Sequence, residues 1–332
     1  MKHHSRLVSV HRLRIPCPVC GKRDNCNVSE KGTYCRRAPS PYQGRDGGWW
    51  HPNEESHSRP APISKPVARV VQRRADRQLI HALYSALLRL LVLLPAHRES
   101  LQARGLSFQT IERELFRSTP TEEEAREIAE NLAETCDLAG IPGFYKRGGV
   151  WQIVKTPSGF FVPIRDRDGL IQGLQIRKDY LRHEKDPRYT WLSSHPDYYH
   201  KGTSSGAPVH IQHADRISAT GKALITEGAL KSIVAGEYLP ADEGGLIALA
   251  GTSAFRENFG EQLKTAWPML QIVQLAFDAD FRVKREVRGQ LYRLARVLSA
   301  SGLRVRVLTW DTQEKGLDDY LYAEALQKEA VA

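Results

Sequence analysis

The sequence predicts an α/β protein whose C-terminal part is built around a largely parallel sheet. Three stretches with different hydrophobic periods support this prediction. Residues 76–94 carry apolar side chains at helical spacing, whereas residues 150–180 alternate with a period of two around turns, as a β-meander does. From residue 222 onward, short apolar runs alternate with helical segments, which is the pattern of parallel strands joined by helices.

The boundaries of the predicted elements have local signals of their own. Ser107 precedes one helical segment, and Thr121 precedes another whose first turn is acidic, so both residues are candidate N-caps. Turns at 157–159 and 166–169 separate the strands of the meander. The strand-like runs after residue 222 are ALIT (223–226), GLIAL (245–249), QIVQLAFD (271–278) and LRVRVLTW (303–310).

These patterns divide the chain into five regions, which differ in composition and period. They are a cysteine-containing domain at 1–51, a linker rich in Pro, Ser and Arg at 52–75, a helical segment at 76–140, a small basic lobe of mixed β and α structure at 141–215, and the parallel-sheet domain at 216–332.

The composition favours a polyanionic partner. The chain has 332 residues, a hydrophobic content of 41% and a net charge of +10, which fits a globular protein that binds nucleic acid, although a basic surface also serves solubility alone. The N-terminus lacks the apolar core of a signal peptide. The richest apolar stretch, residues 87–95, contains Arg89 and is too short to span a bilayer. We therefore expect a cytoplasmic protein with no membrane partner.

Four of the five cysteines lie between positions 17 and 35 in the pattern C-x2-C-x5-C-x8-C. This clustering indicates a structural zinc site in a reducing compartment rather than a disulfide framework. Cys17, Cys20 and Cys35 are predicted ligands, and the fourth is Cys26, with His51 as the alternative. The pair of tryptophans just before His51, among basic residues, is typical of single-strand binders but serves equally as the core of so small a domain.

Three carboxylates follow two of the strand-like runs. Glu227 ends the first run, and Asp278 and Asp280 end the third. The carboxyl ends of parallel strands meet at one edge of a sheet, where sites form. Oxygen ligands of this kind suit Mg2+. Taken singly, each residue fits a loop or a helix cap equally well, but their combination predicts a magnesium site.

Three segments resemble, in this order, the TOPRIM domain of bacterial primases, topoisomerases and related nucleases: TEGALKS (226–232), LIALAGTSAF (246–255) and LAFDAD (275–280). The resemblance implies that Glu227, Asp278 and Asp280 are catalytic residues that bind Mg2+ or Mn2+. One position departs from the primases, which usually have an aspartate four residues after the glutamate; here it is Lys231. A lysine there replaces the charge of one cation, contacts phosphate, or marks reduced catalysis.

The closing segment, VLTWDTQEKGLDDYL (307–321), resembles the end of a TOPRIM-like domain of unknown function in phage and plasmid replication proteins. The K-G-x-D-D motif of that domain matches Lys315, Gly316, Asp318 and Asp319. We expect a structural role for this motif. The resemblance also suggests that the chain comes from a phage, plasmid or other mobile element.

The lobe before the carboxylates resembles the small basic lobe of bacterial primases. The matching positions are Pro163, Ile164, Arg165, Asp166, Gly169, Gly173, Arg177, Tyr189, Ser193, His200, Lys201 and Gly202. The resemblance implies that Arg165, Arg177 and Lys201 line the groove that holds template and nucleotide phosphates, a role that suits arginine's paired donors. The alternative is that they are solvated residues on an exposed face. Upstream, QARGLSFQTIEREL (102–115) resembles another primase segment.

The resemblance spans about residues 95–320 in the primase order, and the cysteines resemble the zinc ribbon of primases, which helps select the template. It implies a TOPRIM parallel-sheet core preceded by a basic lobe, a helical segment and a zinc ribbon. The implied activity is that of a DNA-directed RNA polymerase that makes short RNA primers on single-stranded DNA from NTPs, without a covalent intermediate. Since no P-loop occurs in the sequence, we expect a separate helicase as partner. The alternatives are a non-catalytic DNA-binding replication factor and a TOPRIM nuclease.

Overall fold

The structure is a computed structural model that describes residues 7–44, 48–53, 73–184, 186–251, 254–310 and 316–331. It divides into two compact units, Met1–Val70 and Val71–Ala332. Most of the predicted linker lies outside the described residues, and so does Lys315 of the K-G-x-D-D motif. Among the helices in these ranges, none combines the length and the hydrophobicity that a membrane span requires.

A small antiparallel sheet forms the N-terminal unit. In chain order its elements are β1 (Val8–Ser9), α1 (Val10–Leu13), β2 (Asn27–Ser29), β3 (Gly32–Cys35), β4 (Tyr42–Gln43) and β5 (Trp49–Pro52). The strand order is β1-β2-β3-β5-β4. Its buried core is Val10 packed with Cys17, Cys26 and Cys35. Because so few apolar side chains are buried, this unit is of the kind that a bound metal stabilises.

Helices open the larger unit, and their caps are those that the sequence predicts. The helices are α2 (Arg77–Arg89), α3 (Pro95–Gln102), α4 (Phe108–Arg113) and α5 (Glu122–Thr135), with the two-residue strand β6 (Arg117–Ser118) before α5. The hydroxyl of Ser107 accepts a hydrogen bond from the backbone N–H of Thr110 at the start of α4. Thr121 and Glu124 form a reciprocal capping box at the start of α5.

The first helix is shorter than its apolar spacing predicts. Helical spacing runs to residue 94, but α2 ends at Arg89, and Pro95 begins the next helix. Proline disfavours the helical conformation in the residue before it, so the run cannot continue as one helix. Leu79, Leu90 and Leu94, which the spacing places on the buried face, are exposed. The side chains that α2 buries are Ile80, Leu83, Tyr84, Ser85, Leu87 and Leu88.

Antiparallel strands follow, as the alternating pattern predicts. They are β7 (Phe144–Arg147), β8 (Val150–Ile153), β9 (Gly159–Arg165), β10 (Ile171–Lys178) and β11 (Tyr189–Trp191). β7 and β8 form a hairpin, and the larger sheet has the order β11-β10-β9-β6. α2 packs against β10, so one side of this sheet is covered by the helical segment.

The C-terminal region confirms the predicted α/β class. Its elements are β12 (His210–Gln212), α6 (Ala214–Thr220), β13 (Lys222–Glu227), α7 (Ala229–Tyr238), β14 (Gly245–Leu249), α8 (Phe259–Ala266), β15 (Ile272–Ala276), α9 (Arg285–Ala300), β16 (Arg304–Val307) and α10 (Leu317–Val331). The sheet order is β12-β14-β13-β15-β16. β13 to β16 pair in parallel, and β12 is antiparallel to β14.

Helices cover both faces of this sheet. Alternate residues of β13 belong to different cores: Ala223 and Ile225 pack with residues of α8 and α9, whereas Leu224 packs with residues of α7 and α10. A strand buried on both faces reads as a continuous apolar run, which is why ALIT contains no polar side chain before Thr226. The packing of α10 on α7 brings the chain's last helix to the edge where β13 and β15 end.

Candidate functional site

The four clustered cysteines converge on one point in the N-terminal unit. The sulfur atoms of Cys17, Cys20, Cys26 and Cys35 all lie within 4.8 Å of one another. The separation is 3.8 Å between Cys20 and Cys26 and 3.9 Å between Cys26 and Cys35, near the edge of about 3.8 Å for a tetrahedron with Zn–S bonds of about 2.3 Å. The ring of His51 instead lies 3.1 Å from a backbone carbonyl oxygen, through Nε2. Cys26 therefore completes the set.

Backbone N–H groups surround these sulfur atoms. The N–H of Arg36 donates to Cys26 at 3.5 Å, and those of Arg37 and Ala38 donate to Cys35 at 3.4 and 3.3 Å. A hydrogen bond from the backbone of Lys22 is the main cause that lowers the pKa of Cys20 to about 7. Such donors stabilise thiolates, the form in which cysteine binds metal. The cluster fits a zinc ion in both its spacing and its donors.

The register of the parallel sheet brings two of the predicted carboxylates to one edge. Thr226 of β13 pairs with Ala276 of β15, so Glu227 and Asp278 leave their strands at the same end. Gly228 has a φ of +87°, which glycine adopts without strain, and it is the N-cap of α7, directly after the glutamate. Asp280 lies in a short 3-10 turn, Ala279–Arg282, and its side chain is outside the described part of the chain.

Lys231 and Asp278 form an ion pair in which the ammonium donates to Oδ1. The side chains are 28% and 11% exposed, so water screens the pair little. Burial acts to lower the pKa of Lys231, but the hydrogen bond to Asp278 and the charges of Asp278, Asp318 and Glu227 raise it above its ordinary value. The lysine is therefore charged, and three carboxylates surround it. We call Glu227, Asp278, Asp318 and Lys231 the acidic site.

Asp318 is a member of this site that the sequence did not point to. It is 2% exposed, in the first turn of α10. Its Oδ1 is buried and accepts no hydrogen bond from any described residue. Burial, followed by the charge of Asp319, raises its pKa. A Cβ added to Gly316 would lie 2.3 Å from Asp318 Oδ1 and 3.4 Å from Asp278 Oδ1, so both carboxylates border the space beside that glycine.

Three arginines form a positive cluster close to the acidic site, which we call the arginine cluster: Arg104, Arg177 and Arg188. Burial lowers the pKa of Arg177, and the charges of Arg104 and Arg188 lower it further, whereas Tyr189 acts in the opposite direction. The guanidinium of Arg177 lies over the ring of Phe160, 5.5 Å from its centroid. Its Nε is buried without a hydrogen-bond acceptor among the described residues. Three guanidinium groups that repel one another, one of them with a buried N–H donor not used by the described residues, suit the binding of an anion such as phosphate.

The acidic site and the arginine cluster meet at Arg104. Its Nη1 lies 4.0 Å from Asp318 Oδ2. The next residue, Gly105, has a φ of +92° and accepts a hydrogen bond from the hydroxyl of Tyr238 at the end of α7. A Cβ on that glycine would come within 3.0 Å of both Tyr238 and Tyr322. The segment after α3 is thus held against α7 and α10, which fixes the position of Arg104.

The other predicted phosphate ligands lie in different surroundings. Nε of Arg165 donates to Glu114 at 2.7 Å, and its Nη atoms donate to the carbonyl oxygens of Gly169 and Arg113 at 3.0 and 3.1 Å. These side chains of Arg165 and Glu114 are only 17% and 8% exposed. Lys201 is exposed, in a turn with a φ of +56°. The phosphate roles of both remain predictions, and the pairing of Arg165 favours a structural role.

The acidic site fits a divalent cation. The space beside Gly316 is bordered by Asp278 Oδ1 and Asp318 Oδ1, and Glu227 lies near enough to affect the pKa of Lys231. Carboxylate oxygens are the donors that Mg2+ and Mn2+ prefer. The buried Oδ1 of Asp318 has no hydrogen-bond partner among the described residues, which favours a bound cation, because such an atom is costly unless something binds it.

Comparison with known proteins identifies the fold. The model of one family, a domain of unknown function (DUF3854), matches residues 222–328. No curated protein matches the sequence. The structure of the Aquifex aeolicus primase, with zinc-binding and RNA polymerase domains, is similar with a TM-score of 0.56 and 15% identity. The match covers 76% of this chain and 61% of that primase chain, less than two thirds.

Two further primase structures are similar. The RNA polymerase domain of Mycobacterium tuberculosis primase DnaG, in complex with double-stranded DNA, gives a TM-score of 0.55 at 16% identity, over 76% of this chain and 80% of that one. A DnaG primase catalytic domain bound to single-stranded DNA gives 0.50 at 18% identity, over 77% and 78%. This chain has the fold of a primase catalytic core. Identities this low establish the fold and not the activity.

The sequence contains weak signals for the residues that were missed. Arg104 is the arginine of the segment that resembles the primase R-G-L element, and Asp318 belongs to the K-G-x-D-D motif, for which only a structural role was expected. Arg188 lies directly before Tyr189, which matched the basic lobe. Each lay within a recognised motif, but only the fold shows that Arg104 and Asp318 adjoin.

Proposed function

We propose that the chain is a primase-type nucleotidyltransferase, a DNA-directed RNA polymerase that makes short RNA primers from NTPs on single-stranded DNA. The observation that carries this proposal is the contact region between the acidic site and the arginine cluster at Arg104 and Asp318. A divalent-cation site next to a phosphate site is what a nucleoside triphosphate requires. The fold is that of a primase catalytic core, and the register of the parallel sheet, which puts the ends of β13 and β15 at one edge, supports the proposal.

The residues divide into two roles in this proposal. Glu227, Asp278 and Asp318 would hold Mg2+ or Mn2+, with Asp280 as a further predicted ligand. When bound, the ion stabilises negative charge on the reacting phosphoryl oxygens. The arginine cluster would bind the triphosphate and hold it in line with the attacking hydroxyl, so that catalysis consists mainly of positioning and charge stabilisation.

The N-terminal unit has the features of a single-strand binder. Arg36 lies over the ring of Tyr34, 5.6 Å from its centroid, and Trp49 and Trp50 of β5 are only partly buried. Aromatic faces among cations stack bases without sequence preference. The zinc-binding domain would therefore hold the template while the larger unit acts on the nucleotide. A primase domain of this fold is known bound to single-stranded DNA.

The strongest competing function is that of a DNA-binding replication factor without catalysis. The ion pair between Lys231 and Asp278 favours it, because the lysine occupies one oxygen of a predicted metal ligand. A TOPRIM nuclease is the third candidate. It requires the same cation site but acts on the DNA itself and has no use for a triphosphate-binding cluster.

One reaction separates these functions. The zinc-loaded chain is incubated with end-labelled single-stranded DNA, labelled NTPs and Mg2+ or Mn2+. The proposed primase yields short labelled oligoribonucleotides that require both DNA and cation. Shortening of the labelled DNA indicates the nuclease. DNA binding with neither product indicates the non-catalytic factor and contradicts the proposal.

A further inference from the structure

Lys231 is an unusual residue for its position. It is in the first turn of α7, which begins at Ala229. Helix N-termini carry partial positive charge and favour acidic side chains. A cation there is therefore unfavourable unless nearby anions compensate it. Here Asp278 accepts a hydrogen bond from the ammonium, and the charges of Asp318 and Glu227 also act on it.

The ammonium of Lys231 also takes a donor atom that a metal would use. It is bonded to Asp278 Oδ1, which is one of the two oxygens that border the space beside Gly316. Two-metal sites place their ions about 3.5–4 Å apart and commonly bridge them with a shared carboxylate. With one of its oxygens bound to an ammonium, Asp278 is poorly placed to bridge two ions.

Asp318 is the second carboxylate that borders the space beside Gly316. Asp318 Oδ1 is buried and has no hydrogen-bond donor among the described residues. Arg104 approaches only the other oxygen, at 4.0 Å, which is too long for a hydrogen bond. The site thus contains one ammonium bonded to Asp278 and one buried oxygen of Asp318 without a hydrogen-bond partner among the described residues.

We propose that the ammonium of Lys231 takes the place of a second divalent ion, so that the acidic site binds one Mg2+ or Mn2+ rather than two. This inference rests on the proposed function for the chemistry of the site, but it concerns only how many ions bind. The fixed charge reduces the repulsion among the carboxylates without a metal, and it remains in place when nucleotide and ion leave.

Mn2+ binding tests this directly. The zinc-loaded full chain is titrated with Mn2+, and free Mn2+ is followed by its electron paramagnetic resonance signal. A bound Mn2+ ion is assigned to the acidic site if the Asp278→Asn variant no longer binds it. We expect one such Mn2+ per wild-type chain and two in Lys231→Asp. In Lys231→Met, which removes the charge at similar length, the single site should bind at least about tenfold more tightly, since a nearby unit charge is lost.

A matched control and a folding measurement make the result decisive. Lys222→Met removes a lysine at the opposite end of β13, whose ammonium bonds to the backbone of Asp242, and should leave Mn2+ binding unchanged. Circular dichroism identifies folded variants; if Lys231→Asp does not fold, Lys231→Met alone gives the answer. Two ions in the wild-type site, or Mn2+ binding by folded Lys231 variants that equals wild type, would overturn the inference.

The ion count is independent of activity. A chain that binds one Mn2+ in the acidic site but makes no RNA supports the inference and contradicts the proposed function. A chain that makes primers with two Mn2+ ions supports the function and overturns the inference.

Discussion

The guanidinium of Arg104 lies 4.0 Å from the carboxylate of Asp318, although more than two hundred residues separate them in the sequence. Arg104 belongs to the helical segment and Asp318 to the last helix. Their proximity joins a site suited to phosphate to a site suited to a divalent cation. The predictions below test the parts of this arrangement one at a time.

Gly316→Ala should weaken binding of the divalent cation. The new Cβ would lie 2.3 Å from Asp318 Oδ1, so the carboxylate must move out of the space that the cation would share. We expect a loss of Mn2+ affinity of at least about tenfold, because a ligand displaced by even an ångström loses most of its coordination. Gly289→Ala in α9 is the control, since nothing lies within 4 Å of its Cβ. Equal Mn2+ affinity in both variants would show that Gly316 does not border the cation.

Alanine at Arg104, Arg177 or Arg188 should reduce the salt dependence of single-stranded DNA or nucleotide binding. If each arginine holds one phosphate, each loss should flatten the slope of log K against log salt by about 0.7 for a single strand. Titrations at several salt concentrations measure the slope. Arg126→Ala on α5 removes the same charge outside the cluster and should leave the slope as it is. If the slope is unchanged in all three cluster variants, these arginines do not bind phosphate.

Glu114→Ala should destabilise the fold rather than affect phosphate binding. It leaves the guanidinium of Arg165, 17% exposed, without its carboxylate, and an unpaired buried charge costs about 3 kcal/mol. Chemical denaturation measures the free energy of unfolding. The pair of Lys155 with Glu122, 79% and 70% exposed, provides the control, since Glu122→Ala should leave the free energy of unfolding almost unchanged. If Glu114→Ala lowers the free energy of unfolding no more than the control does, Arg165 does not depend on this ion pair and can serve as a phosphate ligand.

The free energy of unfolding should decrease as the pH is lowered from about 6.5 to about 4, and His210 is the group responsible. Burial lowers its pKa to about 4, with Arg165 acting in the same direction and Glu114 opposing, and the neutral ring accepts the backbone N–H of Arg165 at 3.1 Å. An unfolded histidine has a pKa of about 6.5. Between these values the unfolded chain binds more protons than the folded chain, so acid favours unfolding, by roughly 3 kcal/mol over the whole interval.

The pH effect is assigned by substitution. His210→Asn keeps a hydrogen-bond acceptor near the position of Nδ1 but cannot titrate, so its unfolding free energy should depend less on pH between 6.5 and 4. His183→Asn changes an exposed histidine and should retain the wild-type dependence. If His210→Asn shows the same pH dependence as wild type, another group is responsible.

The parts of the site that the sequence predicts are those set by local pattern. Apolar runs determine where β13 and β15 end, and the parallel register then places Glu227 and Asp278 at one edge. The caps at Ser107 and Thr121 depend only on residues three positions away. The convergence of the cysteines likewise follows from short spacing within one small unit.

The remaining parts depend on packing between distant segments. Asp318 enters the site because α10 packs on α7, and no local feature of the K-G-x-D-D motif indicates that. The ion pair that occupies Arg165 requires Glu114, which lies 51 residues earlier. Leu90 and Leu94 follow the helical period but are exposed, because the helix ends at Arg89 before it reaches them.

Asp278→Asn tests the central claim most directly. The variant preserves the size of the side chain but removes the charge that would bind the cation. We measure oligoribonucleotide synthesis on single-stranded DNA by wild type, by Asp278→Asn and by Asp215→Asn, an exposed carboxylate on α6. The account predicts that Asp278→Asn loses at least about a hundredfold in rate, while it binds DNA like wild type and Asp215→Asn remains fully active. Primer synthesis by folded Asp278→Asn at the wild-type rate would contradict the account.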